Sequence, residues 1–102
     1  MGNKIYISGG ISKVPNFLEI FEEAEEKLNE NGFTPINPAK VLSALPEDET
    51  THEEYMDVAF VLLDMCDSIY MLNGWKESVG ACMEYGFALA KDKKVYFESE
   101  VE

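Results

Sequence analysis

The 102-residue chain has no arginine, one histidine (His52), two cysteines and one tryptophan, and its 8 basic residues are all lysine. Against them stand 20 aspartates and glutamates, for a formal net charge of −12. A field of that sign repels a polyanion, which argues against a nucleic-acid polymer as partner. The missing arginine removes the bidentate clamp that phosphates favour, leaving backbone amides, a serine hydroxyl and a lysine for that task. With so little histidine and cysteine, no structural zinc site is expected, and nothing calls for another metal or a cofactor. Cys66 and Cys82 sit in apolar patterns without metal or redox spacing, so buried free thiols in a reducing cytoplasm are expected. Long apolar runs are also lacking: residues 58–63 are followed by Asp64, far short of the roughly 20 residues of a membrane span. The first residues enter a strand pattern directly, so no signal peptide is expected and the predicted location is cytoplasmic.

What is present is a globular balance, 46% hydrophobic and 27% charged, in a length that suits one domain over residues 1–102. Lys4–Ser8 is a β-rich run closed by Gly9-Gly10. Pro15 stands where a first helical turn tolerates proline. From Asn16 the apolar Phe17, Ile20, Phe21, Ala24 and Leu28 recur at three and four residues, predicting an amphipathic helix stopped by Asn31-Gly32. Residues 33–36 form a brief strand whose Pro35 suits a sheet edge. Residues 40–50, with Pro46 and an acidic cluster, read as an irregular loop. Thr51 and Glu54 fit a capping box that opens a second helix running to about Met65. That helix is apolar on most sides, which predicts burial, with another subunit as a covering partner. Residues 68–72 make a third strand, 78–91 a third helix and 94–97 a fourth strand before an acidic tail. Strands alternating with helices predict an α/β fold: a single small Rossmann-like or flavodoxin-like three-layer sandwich with a parallel sheet of four to five strands.

In such a sheet a ligand sits outside the carboxyl ends of the strands. That rule selects Ser8, Gly9 and Gly10 after the first strand, Asn37 after the second, and Asn73, Gly74, Trp75 and Ser78 after the third. Asp64, Asp67 and Asp92 precede strands and fall at the opposite edge. Glu84 stands in the third helix, and helical side chains lean towards the N-terminus, so its carboxylate covers the turn holding Gly80 and Ala81. The plainer readings stay open here. Glu84 also reads as a surface helix glutamate, Ser78 as a cap, and Trp75, Tyr6 and Tyr85 as packing aromatics.

The series Y-I-S-G-G-I, N-P-A and C-D-S-I-Y-M-L-N-G-W-K-E-S-V-G-A-C-M-E-Y-G-F-A-L-A resembles the nucleoside 2-deoxyribosyltransferase-like superfamily, and most closely its small bacterial and phage branch. The resemblance implies that Glu84 is a nucleophile attacking the anomeric carbon of a deoxynucleoside or its 5′-monophosphate. It implies Ser78 and Gly80 as contacts to the 5′ side of the sugar, and Tyr6, Ser8, Gly9 and Gly10 as pocket wall. Transfer of the sugar to a second base would make a transferase, and attack by water an N-hydrolase. Such a two-step displacement parallels a retaining glycosidase and needs an ionised carboxylate, which the helix N-terminus is expected to favour.

One position departs from the family pattern. Relatives commonly carry a supporting aspartate eight residues before the aspartate that begins the third strand; counting back from Asp67 gives Ala59. Asp57 is the substitute to consider, although it differs from Ala59 by about 200° of helical phase. Two readings of function follow: an N-glycosidic-bond enzyme acting through Glu84, and a nucleoside- or nucleotide-binding sensor or sequestering module without turnover. A small-molecule nucleoside or nucleotide is the expected partner in both, with assembly as a homodimer or higher homo-oligomer.

Overall fold

In the computed structural model, which describes residues 3–101, strand β1 (Lys4–Ser8) is buried on both faces from Ile5 onward. Side chains alternate along a strand, so Ile5 and Ile7 face one layer while Tyr6 and Ser8 face the other. Only the centre of a sheet covered on both sides accommodates such a strand. β1 pairs with β2 (Thr34–Ile36) on one side and β3 (Ser68–Met71) on the other, and β4 (Lys94–Phe97) lies beyond β3. All three pairings are parallel, with Tyr6 opposite Ile36 and Ile69. Pro35 therefore sits on an edge strand, where its missing N–H interrupts no interior ladder.

One face of the sheet is covered by α1 (Phe17–Glu30), whose Phe21, Ala24 and Leu28 pack on Ile5, Ile7, Tyr70 and Leu72. The other is covered by α3 (His52–Asp64) and α4 (Val79–Ala90), which bring Ala59, Leu63, Ala81 and Ala88 onto Tyr6, Ile69 and Met71. This is the three-layer α/β sandwich that the alternation of elements predicts, with four strands. Asp67 ties the start of the sheet, its carboxylate accepting from the Lys4 backbone N–H at 3.2 Å. The Thr51–Glu54 capping box forms reciprocally at 2.9 and 3.1 Å.

Several expectations need correction. Residues 40–50 are not wholly irregular. A short helix, α2 (Pro38–Leu42), begins at Asn37, whose side chain caps Ala39 N–H, and a 3₁₀ turn follows at Glu47–Glu49. Five residues are too few to show a helical period. Pro15 lies before α1 instead of in its first turn. Within the chain, α3 is not buried all round: Met56, Ala59 and Leu63 face inward, but Val61 remains 63% exposed, and Met65 at its C-terminal cap 54%. Cys66 is buried, and burial pushes its thiol up to about 11, whereas Cys82 is exposed. The acidic tail turns into a short helix, α5 (Glu98–Val101), and Glu98 accepts from the Asn73 backbone N–H at 2.8 Å.

The chain leaves β1 towards β2 on one side and later places β3 on the other, so the topology switches between β1 and β3. A crevice forms outside the carboxyl ends of strands at such a point. Gly9 lets the chain turn there: a Cβ on it would stand 2.7 Å from Leu72 Cδ1 and 3.0 Å from Leu72 Cβ. Gly86, in the middle of α4, has no atom within 4 Å of such a Cβ. In chemical denaturation, Gly9→Ala should therefore lose about 1–3 kcal/mol to overpacking. Gly86→Ala should gain up to about 1 kcal/mol from helix propensity. A neutral Gly9→Ala would contradict the close approach.

Candidate active site

The only charged residue of α4 is also the one that points inward. Ala81, Glu84 and Ala88 form the buried stripe of the helix, at intervals of three and four residues. Ser78 sets that phase as N-cap, its hydroxyl accepting from Ala81 N–H at 3.1 Å. Glu84 is 6% exposed, which discards the reading of a surface glutamate. Its Oε2 accepts from the Tyr6 hydroxyl and its Oε1 from the Ser8 hydroxyl, both at 2.6 Å. Tyr6 and Ser8 share a face of β1 because they are two residues apart, so strand alternation delivers both donors to one carboxylate.

The charge state of this group is set by opposed effects. Burial strips water from the carboxylate and is the largest influence, whereas the Ser8 and Tyr6 hydrogen bonds favour its ionised form. Burial wins, and Glu84 is pushed up to about 7. Glu84 thus ionises less readily than an ordinary carboxylate, against the expectation that the helix N-terminus favours its ionised form; its carboxylate lies in the second turn of α4, against β1. Tyr6 is driven well above the ordinary tyrosine range by burial, then by the Glu84 charge and hydrogen bond, so its hydroxyl remains a donor.

Glu84 opens onto a cavity of about 1200 Å³ that spans the switch point. Tyr6, Gly9, Gly10, Asn73, Gly74, Ser78 and Gly80 line it with Glu84, bringing together most of the residues that the edge rule and the resemblance select. Ser8 is fully covered and reaches the site through its bond to Glu84. Three selected residues stand elsewhere. Asn37 spends its side chain on Ala39 N–H and on Glu25, both at 3.0 Å, and lies outside the cavity lining. Trp75 packs against Tyr85 and Phe97, with ring centroids 4.7 and 6.1 Å away. Asp57 is exposed and does not line the cavity, as its helical phase requires, so it cannot support Glu84 from there. Ala59 does line the cavity, so the α3 position facing the site carries a methyl group.

Sequence reasoning missed the other α3 residues at this wall. His52, Tyr55, Met56 and Ala59 follow the intervals three, one and three, a single helical face that all contacts the cavity. That stripe is legible in the sequence, but the apolar residues around it hide it. Met56 also explains Gly80: a Cβ there would come within 3.3 Å of Met56 Sδ, so the glycine allows α3 and α4 to approach. Among the described residues no group of three or more His, Cys, Asp and Glu is placed to hold a metal ion. No helix of the described residues is long and apolar enough to cross a membrane.

The family model for a domain of unknown function, DUF4406, matches residues 3–97, and the chain belongs to that family. No curated protein matches the chain.

The elevated Glu84 pKa carries a stability signature. The native carboxyl holds a proton that the unfolded chain releases near the ordinary value of 4.5, so folding stability falls as pH rises from there to about 7. The full contribution is about 3 kcal/mol. Glu84→Gln should remove this slope, being more stable than the wild type at pH 8 with the difference closing by pH 5, in denaturant titrations across that range. A wild-type slope retained in the variant would exclude Glu84 as its source.

Proposed function

For this member of the family we propose an N-glycosidic-bond enzyme that cleaves or transfers the base of a deoxynucleoside through a covalent glycosyl intermediate on Glu84. The observation carrying this reading is the buried Glu84 carboxylate, fixed by two donors and facing a cavity at the sheet's switch point. In the first step a Glu84 oxygen forms a bond to the anomeric carbon. The carbon–nitrogen bond breaks, and the base departs with that electron pair and takes up a proton. In the second step water or another base attacks the same carbon and releases a proton to solvent, balancing the one the departing base took up, while the carbon–oxygen bond to Glu84 breaks and the carboxylate is restored.

Tyr6 and Ser8 are positioning residues in this scheme. They hold both carboxylate oxygens against rotation, and the strongly raised Tyr6 hydroxyl keeps its proton throughout. Ser78 and Gly80 supply the 5′ side, as in the resembled superfamily. A free nucleoside suits the site better than its monophosphate, because Lys13 is the only lysine in a lining that also contains Glu47 and Glu77. The exposed Val61 on α3, Met65 just after it, and Met83 and Leu89 on α4 support assembly into a homo-oligomer.

A second reading rests on Ala59. The cavity wall formed by α3 brings no carboxylate to assist Glu84. A binding module that senses or sequesters a nucleoside therefore remains the alternative. It predicts thermal stabilisation by nucleoside without base release.

Chromatographic assay of base release and exchange separates the two. The enzyme reading predicts that Glu84→Ala lowers the rate by about a thousandfold or more. It also predicts a deoxyribosyl mass adduct on Glu84 with a slow substrate. Activity should rise with pH through about 7, as the carboxyl ionises. Wild-type turnover by Glu84→Ala would overturn the assignment.

A further inference from the structure

The wall that α3 brings to the cavity begins with an imidazole. His52 opens α3 directly after the Thr51 cap, and its side chain takes no part in the capping box. The ring leans across to α4: a Cβ placed on Gly80 would stand 4.0 Å from His52 Cε1, the carbon between the two ring nitrogens. Ser78 lies two residues before Gly80, and a Cβ on Gly10 would come within 3.7 Å of Ser78 Cβ. The starts of α3 and α4 and the turn after β1 therefore meet at one corner of the cavity, which His52, Ser78, Gly80 and Gly10 all line. Among the described residues the imidazole makes no hydrogen bond or ion pair, so its nitrogens are open to a ligand.

This corner has a fixed relation to Glu84. Glu84 follows Gly80 by one helical turn, about 6 Å along the axis, and its side chain leans back over that turn. A sugar whose anomeric carbon meets the carboxylate has one oxygen with a comparable reach, the 5′ oxygen on its exocyclic arm. The charges at the corner bear on what that oxygen carries. Glu77 precedes Ser78, Glu47 lies in the turn before α3, and Lys13 follows Gly10, all three lining the cavity. Two carboxylates against one ammonium disfavour a phosphate. A hydroxyl suits the corner, because it both donates and accepts and so complements an imidazole. Ser78 faces it with a hydroxyl that accepts from Ala81 N–H at 3.1 Å and keeps its own proton to donate.

We infer that His52 sets specificity at this site: its imidazole hydrogen-bonds the 5′-hydroxyl of the sugar, opposite Ser78, so that the ligand class is a nucleoside with a free 5′-hydroxyl and 5′-deoxy nucleosides are disfavoured. The inference rests on the reading of Glu84 as nucleophile, and it adds a residue that neither the strand-edge rule nor the resemblance selects. A site built to pair a hydroxyl leaves its own polar groups unpaired when the ligand lacks one. One such neutral hydrogen bond is worth about three- to tenfold in affinity.

Calorimetry on Glu84→Gln, where no turnover intervenes, compares deoxyadenosine and thymidine with their 5′-deoxy and 3′-deoxy analogues. Loss of the 5′-hydroxyl should weaken binding about three- to tenfold while His52 is present. That penalty should fall towards one when His52→Ala is added, and His52→Gln, which keeps a donor and an acceptor, should restore part of it. The penalty for a missing 3′-hydroxyl should be the same in all three proteins. His52 is exposed and outside the capping box, so circular dichroism should show the fold unchanged in both variants. Base release by the wild type, followed separately, reports on the nucleophile. A 5′ penalty that survives His52→Ala, or loss of the 3′ penalty in its place, overturns the His52 contact alone when base is still released. A 5′ penalty that depends on His52 without base release from any nucleoside supports the contact and overturns the nucleophile. Failure of every nucleoside to bind overturns both.

Discussion

The contact between Glu84 and the two β1 hydroxyls joins the outer helix layer to the central strand across the site. A carboxylate enclosed by protein loses several kcal/mol of hydration, and unpaired it would destabilise the fold. Here each oxygen receives one short hydrogen bond, from Tyr6 and from Ser8. Those bonds compensate the burial only in part, which is why the group titrates near neutrality and not in the ordinary carboxylate range. A group balanced in this way can be ionised at working pH yet remain poorly hydrated, the condition that favours attack on an electron-poor carbon.

Much of the surrounding structure is arranged around that contact. Strand alternation places Tyr6 and Ser8 on one face, and the Ser78 cap fixes the phase that turns Glu84 inward. Small residues keep the approach open: Ala81 precedes Glu84 on the buried stripe, Gly80 accommodates Met56, and Ala59 leaves room on the opposite wall. Gly9 brings the turn after β1 against Leu72 without a clash. The parallel order β2-β1-β3-β4 puts the carboxyl end of β1 at the switch point, so the buried carboxylate and the crevice coincide.

The fold was legible in the sequence because its signals are local and periodic. The β-rich run Lys4–Ser8 closed by Gly9-Gly10, the Phe17 to Leu28 stripe, the Thr51–Glu54 box and the Ser78 cap each specify an element by themselves. Glu84 and its neighbours were legible as positions, since the carboxyl-edge rule needs only the order of strands. Their partners were not. Whether Asn37 faces a ligand or caps its own helix depends on α2, which is too short to leave a period. Whether Trp75 enters the cavity depends on how α4 and β4 fold back to bring Tyr85 and Phe97 against it. The ionisation of Glu84 depends on enclosure by three layers, and no sequence window contains that.

The role of Glu84 depends on its carboxyl group being both buried and doubly bonded, and an NMR titration of the labelled side chain reads that state directly. The wild-type midpoint should lie at about 7, and it should rise further in Ser8→Ala and in Tyr6→Phe as each loses a donor to the ionised form. A wild-type midpoint near the ordinary 4.5, unmoved by either substitution, would contradict the proposed arming of this carboxylate.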